Sequence, residues 1–178
     1  MGSHRSAFNF LSQNAQILRA KEKVTVLRYS LKDRNCFAAA IQETGRRKLS
    51  EYLEWKGGDT LLFGGCPTQS KKEKAGVGIF LSSQAAKCWA AAEYEVHRYP
   101  SGRVMAVRLV IEDDKSNPMG LFFVSAHAPI GRAKNSIWQQ FLDDVEHCIA
   151  LKRPNDILLI GADANSSNPF LNLALCLQ

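Results

Sequence analysis

The sequence has no apolar run approaching the roughly 18–20 residues of a membrane-spanning helix, so no span is expected. Its opening, MGSHRSAFNF, lacks the apolar stretch of a secretory leader, and the expectation is a protein that is neither secreted nor inserted in a membrane. Cysteine is sparse: Cys36, Cys66, Cys88, Cys148 and Cys176, an odd number with no C-x-x-C pair. That pattern excludes a disulfide framework and a cysteine zinc site, and it reads as reduced thiols inside a cell. There is no internal repeat and no low-complexity tract, which excludes a repeat array and a disordered linker.

What remains is an ordinary globular composition. The chain has 178 residues, 46% hydrophobic and 22% charged, which predicts one domain over 1–178 with a core of its own. The net charge of +6 permits a polyanionic partner without demanding one. The basic residues gather in GRRK at 45–48, in KKEK at 71–74, and at Arg132 with Lys134.

Strand and helix signals are mixed along the chain. Residues 7–13 read as an opening strand. Residues 20–33 place Val24, Leu27 and Leu31 at helical spacing among charges. CFAAAI from Cys36 reads as a buried strand ending at Gln42 and Glu43, and KLSEYLEW at 48–55 as helix. TLLFGG, GVGIFLS, RVMAVRLVI, LFFVSA and DILLIGAD read as strands. SQAAKCWAAAEYEV between two of them fits helix by composition and a connection by position. Asn117-Pro118 breaks the chain at a turn, and Ser136 is placed to cap a helix over Ile137, Phe141, Leu142, Val145, Cys148 and Ile149. Strands apolar throughout are covered on both faces, so the expectation is a layered α/β fold.

One pattern repeats at the strand ends. Asn14 follows FLSQ, Glu43 follows CFAAAIQ, His127 follows LFFVSA, and Asp163 and Asn165 follow DILLIGA. Taken singly, Glu43 reads as a solvated loop residue, GADANSSNP as an Asx-rich turn, and His127 as a structural histidine. Taken together they read as one site, because ligands of α/β sheets collect beyond the carboxyl ends of strands. The residue types suit phosphoryl chemistry. Carboxylates are hard ligands for Mg²⁺ or Mn²⁺, amides orient groups without adding charge, and an imidazole shuttles protons or meets a phosphate oxygen.

At these residues the sequence resembles the endonuclease/exonuclease/phosphatase superfamily, which includes DNase I, apurinic endonucleases and the endonucleases of LINE-type retrotransposons. SQN at Asn14, IQET at 41–44, AGVGIFLS at 75–82, GRVMAVRL at 102–109 and GADAN at 161–165 carry the resemblance, over about residues 8–169. The run KAGVGIFLS looks most like the retrotransposon branch.

The resemblance implies a DNase I-like α+β four-layer sandwich, two mixed β-sheets flanked by helices. It implies a Mg²⁺- or Mn²⁺-dependent hydrolase of nucleic-acid phosphodiesters, DNA foremost, and a nuclear location follows only by association with that partner. Glu43 is the implied metal ligand. Asp163, Asn165, His127 and Asn14 are the implied catalytic residues, with His127 stabilising phosphate charge. Arg46, Arg47, Arg132 and Lys134 are the basic residues offered to nucleic acid.

Three departures modify this. His127 stands where the family often has tyrosine, Ala162 is inserted in Gly-Asp-x-Asn, and the family's final Ser-Asp-His has no counterpart in the thirteen residues after Asn165. The C-terminal strands of the fold are accordingly expected to be missing, the fold marginal and cleavage weak or absent, with a non-catalytic binding module of the same fold as the alternative. A lipid or inositol phosphatase is a third reading.

Overall fold

The computed structural model describes residues 8–67, 75–112 and 117–165. The apolar tail read at 170–178, and with it the expectation about missing terminal strands, lies outside the described residues, as does most of the charged loop 69–76.

Two mixed sheets stack face to face. The first has the order β1 (Asn9–Asn14), β2 (Cys36–Gln42), β5 (Val77–Leu81), β4 (Thr60–Gly64), β3 (Glu51–Glu54). The second has β6 (Val96–Arg98), β7 (Val104–Glu112), β8 (Pro118–His127), β9 (Ile157–Asp163). Helix α1 (Lys21–Asp33) covers the outside of the first sheet and α3 (Asn135–Ala150) the outside of the second. Helix α2 (Ser83–Ala91) packs into the core between the sheets through Ala85. This is the expected four-layer α+β sandwich.

The layers follow from the two-residue period of a strand. Along β7 and β8, Met105, Val107, Leu109, Leu121 and Phe123 face the first sheet, while Val104, Ala106, Phe122 and Val124 face α3. β2, β4 and β5 are buried on both faces, as their unbroken apolar character requires. Phe63, Phe80, Phe122 and Phe123 are among the largest fully buried side chains. Each contributes about 2–3 kcal/mol of transfer free energy. On α1 the buried residues are Val24, Leu27 and Leu31, the stripe read from spacing.

Four local readings change or are resolved. The segment read as helix at 48–55 holds β3 instead. Its alternation of half-buried Glu51 and Leu53 with exposed Tyr52 and Glu54 fits an edge strand, and pairing of Leu53 with Leu61 outweighs weak helix propensity. Helix α3 starts at Asn135 with Lys134 as its N-cap and no side-chain cap bond, so Ser136 lies inside the first turn. The ambiguous stretch is both things: α2 capped by Ser82, whose hydroxyl accepts from the Ala85 N–H, then a reversal through left-handed Glu93 and Tyr94 into β6. Pro118, read as a breaker, opens β8, a strand position where its missing N–H does least harm.

Candidate active site

β1 and β2 run parallel, as do β8 and β9, and their registers pair Asn14 with Gln42 and His127 with Asp163. Four carboxyl ends therefore finish at one edge of the sandwich. Alternation does the rest on three of them. Phe10, Phe123 and Leu159 pack into the core between the sheets. Counting on by twos reaches Asn14, His127 and Asp163, the last residues of three rows that face the opposite sheet.

Glu43 falls out of step. It follows the inward-facing Gln42 and by alternation would point away. Its backbone is left-handed, φ +53°, which breaks the alternation. A glutamate rarely adopts this conformation, and it is held here by Ile17 N–H donating to the Glu43 carbonyl at 2.8 Å and Thr44 N–H to the Gly76 carbonyl at 2.9 Å. The result is a Glu43 Oε1 only 4.0 Å from His127 Nε2.

The five strand-end residues are thereby brought together. Asn14 Nδ2 donates to Asp163 Oδ2 at 2.8 Å, across the two sheets. Asp163 Oδ1 accepts from the Asn165 N–H at 3.0 Å. The Asn165 amide nitrogen lies 2.9 Å from the Ala128 carbonyl and 2.6 Å from His127 Nε2. With the NH₂ donating to that carbonyl, Nε2 is placed to accept its other hydrogen, which assigns the ring proton to Nδ1, a buried atom with no hydrogen-bond partner among the described residues. His127 is 4% exposed. Burial, and then the Arg103 guanidinium, push its pKa down to about 4 against the opposite pull of Asp163 and Glu43. At neutral pH the ring is uncharged. In that state the ring carries no positive charge, and its Nε2 lies against the Asn165 amide.

Glu43, His127 and Asp163 each present a ligand atom within 4.8 Å of the others. Two are carboxylates, the donor type that Mg²⁺ and Mn²⁺ take. Each Asp163 oxygen accepts one hydrogen bond, and a carboxylate oxygen has two lone pairs. The set therefore fits a hard divalent cation held by Glu43 and Asp163 with water filling the remaining positions.

The basic residues divide. Arg47, Arg132 and Lys134 are exposed. Arg46 is not open in the same way, because its guanidinium pairs with Glu51 at 3.0 Å and lies 4.6 Å above the Phe63 ring. Sequence reasoning missed Arg103, whose Nη1 donates to the His127 and Ala128 carbonyls at 3.3 and 3.4 Å. Nothing in the sequence marks it. It also passed over Ser125 and Gly161, and named Gln42 only as a strand end. A polar Gln42 and Ser125 closing otherwise apolar runs were the available signal.

No protein-family model and no curated protein matches the sequence. The structure does match others. It is similar to the endonuclease domain of TRAS1, a telomere-specific non-LTR retrotransposon, with TM-score 0.50 and 17% identity over 91% of this chain and 61% of that one. It is similar to the Xenopus laevis APE2 catalytic domain, with TM-score 0.52 and 16% identity over 88% of this chain and 58% of that one. It is also similar to D. rerio TDP2 complexed with single strand DNA product, with TM-score 0.52 and 13% identity over 92% and 63%. The chain thus spans about three-fifths of the length of these proteins. At such identities the likeness is one of fold, and the fold is the DNase I-like one that the motifs resembled.

Proposed function

We propose that this chain carries the metal-holding and water-positioning part of a nucleic-acid phosphodiesterase site. The observation that supports this best is the hydrogen-bonded set Asn14–Asp163–Asn165–His127, which closes on Glu43 from two different sheets. Glu43 is the principal ligand of Mg²⁺ or Mn²⁺, and Asp163 is the second carboxylate within reach. When bound, the cation supplies Lewis-acid charge to a phosphate oxygen. Asp163, fixed by Asn14 and by the Asn165 N–H, aims an attacking water in line with the scissile bond and takes its proton as the new phosphorus–oxygen bond forms; the opposite phosphorus–oxygen bond breaks, and the leaving sugar oxygen takes a proton from solvent. Asn165 orients that water or a phosphate oxygen, and neutral His127 keeps the amide in place. Nucleic acid is the substrate class, DNA foremost. The exposed Arg47, Arg132 and Lys134 suit a polyanion, and the similar proteins include an endonuclease domain and a DNA complex.

The test is nicking of supercoiled plasmid with Mn²⁺ or Mg²⁺. Slow nicking that stops with a chelator and falls at least 100-fold in Glu43→Ala and Asp163→Ala is the expected result, the size expected when a preorganised charged group is removed. Equal nicking by both variants would sink the proposal. Metal-dependent DNA binding with no cleavage would make the chain a binding module of the same fold.

A further inference from the structure

The site is divided between two sheets. Asn14 and Glu43 come from the first, and His127, Asp163 and Asn165 from the second. Stacked sheets lie about 10 Å apart, and apolar packing between them is non-directional, so it resists separation better than sliding. A cation held by one carboxylate from each sheet needs the slide fixed as well.

Polar side chains cross the interior at this end. Gln42 Nε2 donates to the Gly161 carbonyl at 3.3 Å, and Ser125 Oγ donates to the Ile41 carbonyl at 3.2 Å. Ser12 Oγ donates back to Gln42 Oε1 at 3.4 Å, steadying the amide. Gln42 and Ser125 are 1% and 0% exposed. The backbones come close enough for these bonds because Gly161 has no side chain; a Cβ there would run into the Ala40 Cβ. Each bridge touches the chain beside a site residue: Gln42 precedes Glu43, Gly161 stands two before Asp163, and Ser125 stands two before His127.

We propose that Gln42 and Ser125 are positioning residues that lock the slide of one sheet on the other, so that Glu43 and Asp163 meet around one cation. The proposal rests on the reading of this site as metal-dependent. Gln42 does most, since one amide ties the residue beside Glu43 to the strand that ends in Asp163. Ser125 repeats the tie one strand over, from the β8 row that ends in His127. Buried hydrogen bonds are directional and fail sharply when a partner is removed, which is the property a spacing device needs.

The experiment is a Mn²⁺ titration of the chain by calorimetry, run beside thermal unfolding, on wild type, Gln42→Leu, Ser125→Ala and Ile111→Ala. Ile111 pairs with Met119, eight residues back along β8 from His127 and roughly 25 Å away at the rise of a strand. It controls for loss of stability alone. Gln42→Leu should weaken Mn²⁺ about 10- to 100-fold, the range for groups that orient metal ligands. Ser125→Ala should weaken it by a smaller factor, and Ile111→Ala should lower Tm while leaving Mn²⁺ affinity unchanged. Wild-type affinity in folded Gln42→Leu and Ser125→Ala, or equal weakening by Ile111→Ala, overturns the positioning role and leaves the metal reading standing. If Gln42→Leu does not fold, Ser125→Ala decides. A wild-type chain that takes up no Mn²⁺ overturns both.

Discussion

His127 shows how much a single environment changes a side chain. The unfolded chain takes up its proton near pH 6.5 and the folded metal-free chain near 4. Between those values the unfolded state holds more protons, so stability rises with pH across the window and is level above it. Ring NMR of the metal-free protein should show no titration of His127 from pH 5.5 to 8, with the proton on Nδ1 throughout. A midpoint near 6.5 would show that the ring is not buried as described. Glu43 carries a different cost. Its left-handed backbone suits asparagine far better than glutamate. Glu43→Asn should therefore raise stability by about 1 kcal/mol in urea unfolding while abolishing metal binding. A loss of stability would mean that the strain is not borne at this residue.

Among the elements, β9 is held at both ends by polar contacts as well as by the packing of Leu158 and Leu159. Asp156, just before it, accepts from Arg108 Nε at 3.0 Å and from Nη2 at 2.9 Å, across from β7. Burial pushes this carboxyl up, but the bonds from Arg108 and from the Arg153 N–H more than offset that and hold it below its ordinary pKa. Gly120 makes room, since a Cβ there would collide with the Asp156 carboxylate. Removing one partner of a buried pair leaves the other charge uncompensated. Asp156→Ala should cost about 3–5 kcal/mol in urea unfolding. A change under 1 kcal/mol would show that water reaches the Arg108 side chain. At the other end, the Asp163 carbonyl accepts from the Ala128 N–H at 2.9 Å, carrying the β8–β9 ladder up to the site.

For the molecule as a whole the relevant quantity is charge. A net +6 with Arg47, Arg132 and Lys134 exposed should make DNA binding steeply salt-dependent. Arg132→Ala should reduce the log–log salt slope by about one, the contribution of a single phosphate contact. Arg46→Ala should leave the slope alone and lower stability, because its guanidinium serves Glu51 and Phe63. Filter binding across a salt series, with thermal melts of the same variants, separates the two. An unchanged slope for Arg132→Ala would remove that residue from the interface.

The strands, the amphipathic α1 and the polar residues at strand ends were legible in the sequence, because period-two and period-3.6 patterns are local and burial selects for them. So was the placing of Asn14, Glu43, His127, Asp163 and Asn165 at or just past strand ends, since each follows an apolar run. β3 was not legible, because its strand character comes from pairing with β4 and no four-residue pattern announces a partner. The start of α3 slipped by two residues for the same kind of reason: local cap preference yielded to the path of the chain out of β8. The state of the site was decided by tertiary structure alone. Arg103 and burial set the charge of His127, the left-handed turn aims Glu43, and the close pass of Gly161 over Ala40 brings two sheets within hydrogen-bonding reach. Those are distances between residues far apart in the chain. A sequence specifies them only through the fold that closes them.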